Sequence, residues 1–163
     1  MTEVFHDPGH NHARCAADVI AHAEKACASK AQKLTPMRRK VLEILASNHK
    51  PLGAYEIIDA VAGAGPRPAP ITIYRALDFL IANGLVHRIA SRNAFLACGQ
   101  NHDRGALVTF LICEVCGTVG EAPADEVSRT LTQAAQGVGF TPKMSVVEIT
   151  GLCAHCRSQR ASG

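Results

Sequence analysis

Two Cys-x2-Cys pairs constrain this chain more than any other feature of its sequence. Cys113 and Cys116 form the first pair, Cys153 and Cys156 form the second, and residues 117–152 lie between them. Two thiolates at this spacing on a tight turn can grip one metal ion, and a second pair completes a tetrahedron. The intervening segment is longer than in a compact zinc ribbon, so it must fold as a subdomain. We predict a closed, structural four-thiolate zinc site.

The remaining cysteine usage favours metal binding over disulfides. The chain has seven cysteines, an odd number that does not suit a closed disulfide framework. Its start is acidic and His-rich without an apolar core, and no apolar run approaches the length of a membrane span. We therefore expect a cytoplasmic protein with reduced thiols. The alternative is a pair of redox Cys-x-x-Cys motifs, which usually open a helix; here we expect both pairs at strand ends.

The first hundred residues follow the order of a winged helix-turn-helix. Apolar periodicity predicts helices over 18–34, from Thr35-Pro36 onwards, over 54–62 and from 71 to Asn83-Gly84, with a turn over 48–53. Two short strands, 85–89 and 94–97, follow as a hairpin. In such proteins the second helix of the motif enters the major groove of DNA.

The rest of the chain predicts a smaller mixed domain. We expect strands over 107–113, 118–122 and 143–149 and a helix over 125–135. The predicted fold class is α+β, an N-terminal winged helix-turn-helix domain followed by a small α/β dimerisation domain. Its parts are a flexible His-containing tail (1–14), the winged domain (15–97), a hinge (98–106) and the dimerisation and zinc-binding domain (107–163). The strands of the last part are expected to pair two chains into a homodimer.

Charge is distributed unevenly between the two parts. Residues 30–92 carry ten basic and four acidic side chains, whereas residues 98–163 carry five basic and six acidic ones. A basic front suggests a polyanionic partner. An ordinary solvated surface is the alternative.

A second set of metal-binding residue types lies where the two predicted domains meet. His87 is in the wing, Cys98 ends the hairpin, His102 is in the hinge and Glu121 follows the first Cys pair. Zinc accepts such a mixture of nitrogen, sulfur and oxygen ligands. Taken singly, a surface His or Glu is usually only solvated, and a Cys at a strand end usually only packs. His6, His10 and His12 offer a third, weaker set, for which we favour adventitious binding.

Several motifs together resemble the ferric uptake regulator superfamily of metal-sensing repressors, and most of all its zinc uptake regulator branch. They are LTPMRRKVLEIL, ITIYRALDFL, the cysteine after the hairpin, FLICEVCG and GLCAHC, and they span about residues 15–157. The resemblance implies a zinc-responsive DNA-binding repressor of zinc uptake and homeostasis genes, with zinc as corepressor and two zinc ions per chain. It also implies that His87, Cys98, His102 and Glu121 hold the regulatory zinc.

Two departures from the family pattern matter. The iron-sensing branch has a His-His-Asp-His run before its first Cys pair, where this chain has LVTF (107–110), so an iron sensor is disfavoured. His102 lies eleven residues before Cys113, farther than the branch suggests, and Asp103 is the substitute candidate.

The resemblance and the residue types also name candidate DNA contacts. Arg75, on the polar face of the predicted recognition helix, can read guanine through a bidentate contact, unless it pairs with Asp78. Thr72 and Tyr74 share the family motif of that helix, and Tyr55 is either a DNA contact or a core residue. The candidate phosphate contacts, which position without specifying sequence, are Lys33, Arg38, Arg39 and Arg67.

Rival functions remain at this stage. One is an iron, manganese or peroxide sensor of the same superfamily. Another is a zinc-bearing thiol oxidoreductase, which needs an accessible cysteine of low pKa. A zinc hydrolase is disfavoured because no His-Glu-x-x-His motif is present. We therefore expect a homodimeric, double-stranded DNA-binding protein that is not an enzyme.

Overall fold

The computed structural model of the protein describes residues 4–5, 12–48, 50–98, 107–143 and 145–161. These residues form two compact units. The described residues from 12 to 98 make up the first unit, and residues 4–5 together with those from 107 to 161 make up the second. The fold-class prediction, a winged helix-turn-helix unit followed by a small mixed unit, is confirmed.

The first unit contains four helices and a small antiparallel sheet. Its elements are α1 (His12–Ser29), α2 (Pro36–Ala46), β1 (Leu52–Gly53), α3 (Ala54–Ala62), α4 (Pro70–Ala82), β2 (Val86–Ile89) and β3 (Ala94–Ala97). The strand order is β1-β3-β2, with β3 antiparallel to both neighbours. Strands β2 and β3 form the wing, and α4 occupies the place of the recognition helix.

Local capping signals place the helix ends as the sequence predicts. The hydroxyl of Thr35 accepts a hydrogen bond from the Arg38 backbone N–H at 3.5 Å, and Pro36 opens α2 without losing a hydrogen bond. After α4, Gly84 adopts a left-handed backbone with φ of +70°, which glycine permits without a side-chain clash. Helix α4 therefore stops cleanly before the wing begins.

Two predictions about the first unit are corrected. Helix α1 begins at His12, inside the segment expected to be a tail (1–14), and it ends at Ser29 because Ala31 turns into the left-handed region with φ of +52°. The predicted turn over 48–53 includes strand β1, whose Leu52 and Gly53 pair with Phe95 and Ala94. That pairing joins segments far apart in sequence, so local turn signals do not reveal it.

One continuous apolar core stabilises the first unit. Every helix and the wing contribute to it, and aliphatic side chains dominate because the chain has no tryptophan. Its most deeply buried large side chains are Leu42, Leu45, Ile57, Ile73, Leu77, Leu80 and Leu85. This core fixes α4 against α2 and α3.

The second unit is a three-stranded sheet with two helices. Its elements are β4 (Val108–Cys113), β5 (Val119–Pro123), α5 (Asp125–Gly137), β6 (Val146–Gly151) and α6 (Ala154–Ala161). Strand β4 is central, antiparallel to β5 and parallel to β6. Because both edges of β4 are paired within the chain, main-chain pairing with a second chain is open only to β5 and β6, which have outer edges. The expected role of these strands in a dimer stays a prediction.

Two further elements differ from expectation in the second unit. The last strand, expected over 143–149, runs from Val146 to Gly151. Helix α6 was not predicted, because its short and polar sequence lacks an apolar repeat. No helix in the described part of the chain is long and apolar enough to cross a membrane.

Candidate metal centre and nucleic-acid interface

The four paired cysteines converge at one end of the second unit. Cys113 ends β4, Cys116 lies in the turn before β5, Cys153 directly precedes α6, and Cys156 is in the first turn of α6. Their four sulfur atoms lie within 4.8 Å of one another. The Sγ atoms of Cys116 and Cys153 are 3.9 Å apart. A tetrahedral zinc ion with Zn–S bonds of about 2.3 Å requires an edge of about 3.8 Å, so this arrangement fits zinc.

Backbone groups are aimed at the sulfurs. The N–H of Cys153 donates to Sγ of Cys113 at 3.4 Å, and the N–H of Cys156 donates to Sγ of Cys153 at 3.4 Å. Burial by itself raises the pKa of the Cys113 thiol, but N–H groups of Cys116, Cys153 and Val115 stabilise the thiolate and bring its pKa to about 6. These donors prepare Cys113 to act as a thiolate ligand.

One cysteine of the same cluster, Cys156, resists ionisation. Burial, followed by the hydrogen-bonded sulfurs of Cys153, Cys116 and Cys113, raises the pKa of Cys156 to about 12. At Cys116 burial also opposes ionisation, but hydrogen bonds with the side chain and main chain of Thr118 together outweigh it, so the pKa is lowered. Burial and the neighbouring sulfurs, with a smaller contribution from the charge of Cys116, therefore oppose full ionisation of the cluster. A divalent ion that favours sulfur, such as zinc, offsets this opposition.

The redox alternative meets one unexpected feature. The second Cys pair opens α6, contrary to the expectation that both pairs lie at strand ends, and a helix start is where redox motifs are found. All four cysteines are free thiols, and three of them are buried. Because both pairs share one buried cluster rather than forming two accessible dithiols, the geometry favours a metal site.

A contact that the sequence did not reveal covers this cluster. Phe5 packs against Cys113, Cys153 and Cys156. Val4 approaches Gly120 so closely that a Cβ at position 120 would lie 2.5 Å from the Val4 carbonyl oxygen. Residues 4–5 therefore pack on the second unit, in contrast to the free tail expected over 1–14. The only available signal was the apolar dipeptide itself within a polar segment.

The wing places two of the predicted regulatory ligands together. His87 pairs with Leu96 in the β2–β3 register, so Cys98, two residues further along, is on the same face as His87. The N–H of Cys98 donates to the Leu85 carbonyl at 2.9 Å, which extends the pairing past the end of β3. One ligand atom of His87 and the sulfur of Cys98 lie within 4.8 Å. Both side chains are half-buried.

The other predicted ligands are distributed as follows. Glu121 lies on β5, paired in register with Phe110, and is half-buried. His102 and Asp103 lie outside the described residues, as do His6, His10 and the side chain of His12.

Helix α4 exposes the residues expected to face DNA. Ile73, Ala76, Leu77 and Leu80 are buried, which turns the opposite face outwards. On that face Tyr74 is 43% exposed, Arg75 is exposed and Thr72 is half-buried. Ile71 is exposed there too and was not predicted, although position 71 falls off the buried repeat.

The structure decides whether Tyr55 is a core residue and whether Arg75 is paired with Asp78. Tyr55, at the start of α3, is 71% exposed, so the core interpretation of this residue is wrong. Among the described residues, the ion pairs join Arg39 to Glu24 and Glu43, and Arg67 to Asp59. Arg75 and Asp78 belong to none of these pairs, which leaves the Arg75 guanidinium accessible from solvent.

Three of the candidate phosphate contacts have partners within the first unit. Arg67 pairs with Asp59 across the α3–α4 segment, and Arg39 pairs with Glu24 of α1. Arg38 donates from Nη1 to the Lys33 carbonyl at 2.7 Å. Each of these three predicted contacts is therefore already engaged within the first unit, and their role at DNA stays a prediction.

Comparison with known proteins now decides the family. The family model described as "Ferric uptake regulator family" matches residues 29–150. The chain belongs to the ferric uptake regulator family.

Similar proteins within this family include zinc uptake regulators. The chain is 36% identical over 139 residues to the zinc uptake regulation protein of Escherichia coli (strain K12), covering 85% of this chain and 81% of that protein. A solved structure of a zinc uptake regulator complexed with zinc and DNA is 35% identical, with a TM-score of 0.85 over 90% of this chain and 97% of the other. The holo form of XcZur is 41% identical, with a TM-score of 0.80 over 86% and 98%.

Proposed function

We propose that this family member is a zinc-responsive, DNA-binding repressor of zinc uptake and homeostasis genes, with zinc as corepressor. The observation that carries the proposal is the His87–Cys98 pair, which builds metal ligands directly onto the wing of the unit that exposes Tyr74 and Arg75. A metal bound at the wing is therefore held by residues of the same compact unit as the DNA-reading helix. The likeness to zinc uptake regulators, one of them bound to zinc and DNA, supports zinc as the ion.

Two zinc ions per chain are proposed, with different tasks. The four-cysteine cluster holds a structural ion that keeps the second unit folded. The regulatory ion is held by His87, Cys98 and Glu121, with His102 or Asp103 as the fourth ligand. A ligand set drawn from the wing, the 98–106 segment and β5 would tie the orientation of the winged unit to zinc occupancy.

DNA recognition is assigned to the exposed face of α4. Arg75 reads a guanine in the major groove, with Thr72 and Tyr74 beside it, while Tyr55, Arg39 and Arg67 contact the backbone or nearby bases. Two reading units on a near-palindromic operator require a symmetric dimer. A regulator of this type acts in the cytoplasm and has no enzymatic step.

The dimer is assigned to α5 and the outer edge of β6. No residue of α5 is buried, although Val127 and Leu131 are apolar; Leu131 is 41% exposed. Ile149 of β6 is also exposed. A second copy would cover these apolar side chains. Leu131→Glu should yield a monomer in analytical ultracentrifugation, whereas the control Gln133→Glu, on the same helix, should remain dimeric.

Zinc acts through reciprocal coupling between the regulatory site and operator binding. A coupling of about 1–3 kcal/mol corresponds to a change in operator affinity of about 5- to 150-fold. Without the ion, the two reading units rarely match the half-site spacing. With it, the DNA-competent orientation dominates the population.

The proposal is tested with DNA that the protein itself selects. A duplex recovered from a randomised library by the zinc-loaded dimer serves as the probe, and binding is titrated against zinc, iron and manganese separately. We expect zinc alone to support tight binding at low free concentration. Equal binding with iron or manganese would favour the sibling sensors, and thiol oxidoreductase activity without DNA binding would refute the proposal.

A further inference from the structure

Arg38 connects three elements of the first unit. Its guanidinium carbon lies 3.5 Å from the centroid of the Phe79 ring on α4. Its Nη1 donates to the main-chain carbonyl of Lys33 at 2.7 Å, in the segment between α1 and α2. Because Arg38 itself belongs to α2, one side chain contacts the segment before α2 and the recognition helix.

The position of Arg38 on α2 is unusual for a cation without a specific role. It is the third residue of the helix, and its N–H faces the capping hydroxyl of Thr35. The helix dipole places partial positive charge at this end, which disfavours a cation. The face of Phe79 and the Lys33 carbonyl supply the negative potential that offsets this penalty. A half-buried guanidinium engaged on two sides is poorly disposed to bind a phosphate.

Phe79 connects the Arg38 side chain to the helix that carries the DNA-reading face. It lies four residues after Arg75, one turn along α4, and it also packs against the apolar core of the first unit. Rotation of α4 about its axis would move the Phe79 ring off the guanidinium. The apolar core holds α4 in place, and the stacking contact adds a second restraint on its rotation and with it on the direction of Tyr74 and Arg75.

We propose that Arg38 is a positioning residue for the recognition helix rather than a phosphate contact. The proposal rests on the proposed DNA-binding function, and it replaces the expectation that Arg38 neutralises a phosphate. It assigns Phe79 as the partner through which Arg38 acts.

Three substitutions and one control variant separate positioning from phosphate binding. Arg38→Lys keeps the charge but loses the planar group that stacks on Phe79. Phe79→Leu keeps apolar bulk but removes the ring. Arg38→Met removes the positive charge of Arg38. The control Lys40→Met, at an exposed neighbouring position of α2, removes one positive charge but leaves the contact between Arg38 and Phe79 intact. Affinity for the library-selected duplex is measured over a range of salt concentrations, together with thermal stability and zinc content.

Positioning predicts that Arg38→Lys and Phe79→Leu each weaken binding to the selected duplex by about tenfold, the scale of a cation–π contact. The double variant should bind no worse than the single ones, since both remove the same contact. The slope of log affinity against log salt should stay as in the wild type. The proposal is overturned if Arg38→Lys and Phe79→Leu bind as the wild type does while Arg38→Met alone lowers that slope by about 0.9.

A readout independent of DNA distinguishes failure of this inference from failure of the proposed function. Amide hydrogen exchange along α4 should be faster in Arg38→Lys and Phe79→Leu and unchanged in Lys40→Met. If the wild type selects no duplex, the DNA-binding function fails, yet the exchange data still decide whether Arg38 holds α4. Unchanged amide hydrogen exchange along α4 in both Arg38→Lys and Phe79→Leu would overturn the positioning role.

Discussion

The two candidate metal centres differ in how completely one unit builds them. All four sulfurs of the cysteine cluster come from the second unit, mostly buried and within 4.8 Å of one another. The winged unit supplies only two half-buried ligands, His87 and Cys98. A locally complete site binds its ion as part of folding. A pair that needs further ligands can instead respond to the ion's concentration, and this difference separates a structural zinc from a regulatory one.

The largest expected effect comes from removing one ligand of the four-cysteine site. Cys113→Ser should lose the structural zinc and with it folding free energy on the scale of about 10 kcal/mol, since metal binding and folding are coupled in such sites. Amide hydrogen exchange should show β4, β5 and β6 unprotected while α2 and α4 keep their protection. Zinc content is measured in parallel.

A reciprocal control is available in the first unit. Cys27 is buried in the apolar core there and belongs to neither metal set. Cys27→Ser should lower protection of the helices around it and leave zinc content unchanged. Full zinc and full protection in Cys113→Ser would show that the cluster does not stabilise the second unit.

The next effect comes from the incomplete pair. Cys98→Ser should leave both units folded and the four-cysteine zinc in place, while operator affinity in zinc falls to the zinc-free level, a loss of about 5- to 150-fold. A gel-shift titration with zinc measures this. Ala97→Ser is the control, because its side chain points to the opposite face of the same strand. Unchanged zinc dependence in Cys98→Ser would remove this cysteine from the regulatory site.

A smaller effect tests whether Glu121 of the second unit binds the same ion as His87 and Cys98. Glu121→Gln should raise the zinc concentration for half-maximal DNA binding by about tenfold, equivalent to about 1.4 kcal/mol. Glu148 is a matched control, because Glu121 and Glu148 both pair in register with Phe110, from β5 and β6 respectively. Equal shifts for Glu121→Gln and Glu148→Gln would argue against a specific ligand.

The smallest expected effect concerns Phe5, which packs on the four-cysteine site. Phe5→Ala removes an apolar contact with Cys113, Cys153 and Cys156. Zinc release to a competing chelator should be about fivefold faster, corresponding to about 1 kcal/mol of lost burial. Val138→Ala, at an exposed position of the same unit, should not change the rate. An unchanged release rate in Phe5→Ala would mean that residues 4–5 do not protect the ion.

The sequence predicted features that are encoded locally. Thr35-Pro36 marked the start of α2, Asn83-Gly84 marked the end of α4, and the cysteine spacing identified the four residues that converge. Each signal acts over a few residues, where capping and turn preferences are strong.

Features that depend on distant segments were not predictable in this way. Strand β1 exists because Leu52 meets Phe95, and the contact of Phe5 with the cysteine cluster joins the two ends of the sequence. The basic run in α2 suggested phosphate contacts, whereas Arg38 stacks on Phe79, 41 positions further along the chain. Pair contacts of this kind leave no periodic or capping signal in one sequence.

The central claim is that one ion per chain holds the second unit folded while another governs DNA binding. Zinc per chain, operator affinity and hydrogen exchange of β4 should be followed during stepwise chelation of the intact dimer. We predict a fall from two zinc ions to one, accompanied by loss of DNA binding with β4 still protected. Simultaneous loss of both ions, or tight operator binding with a single zinc per chain, would contradict the account.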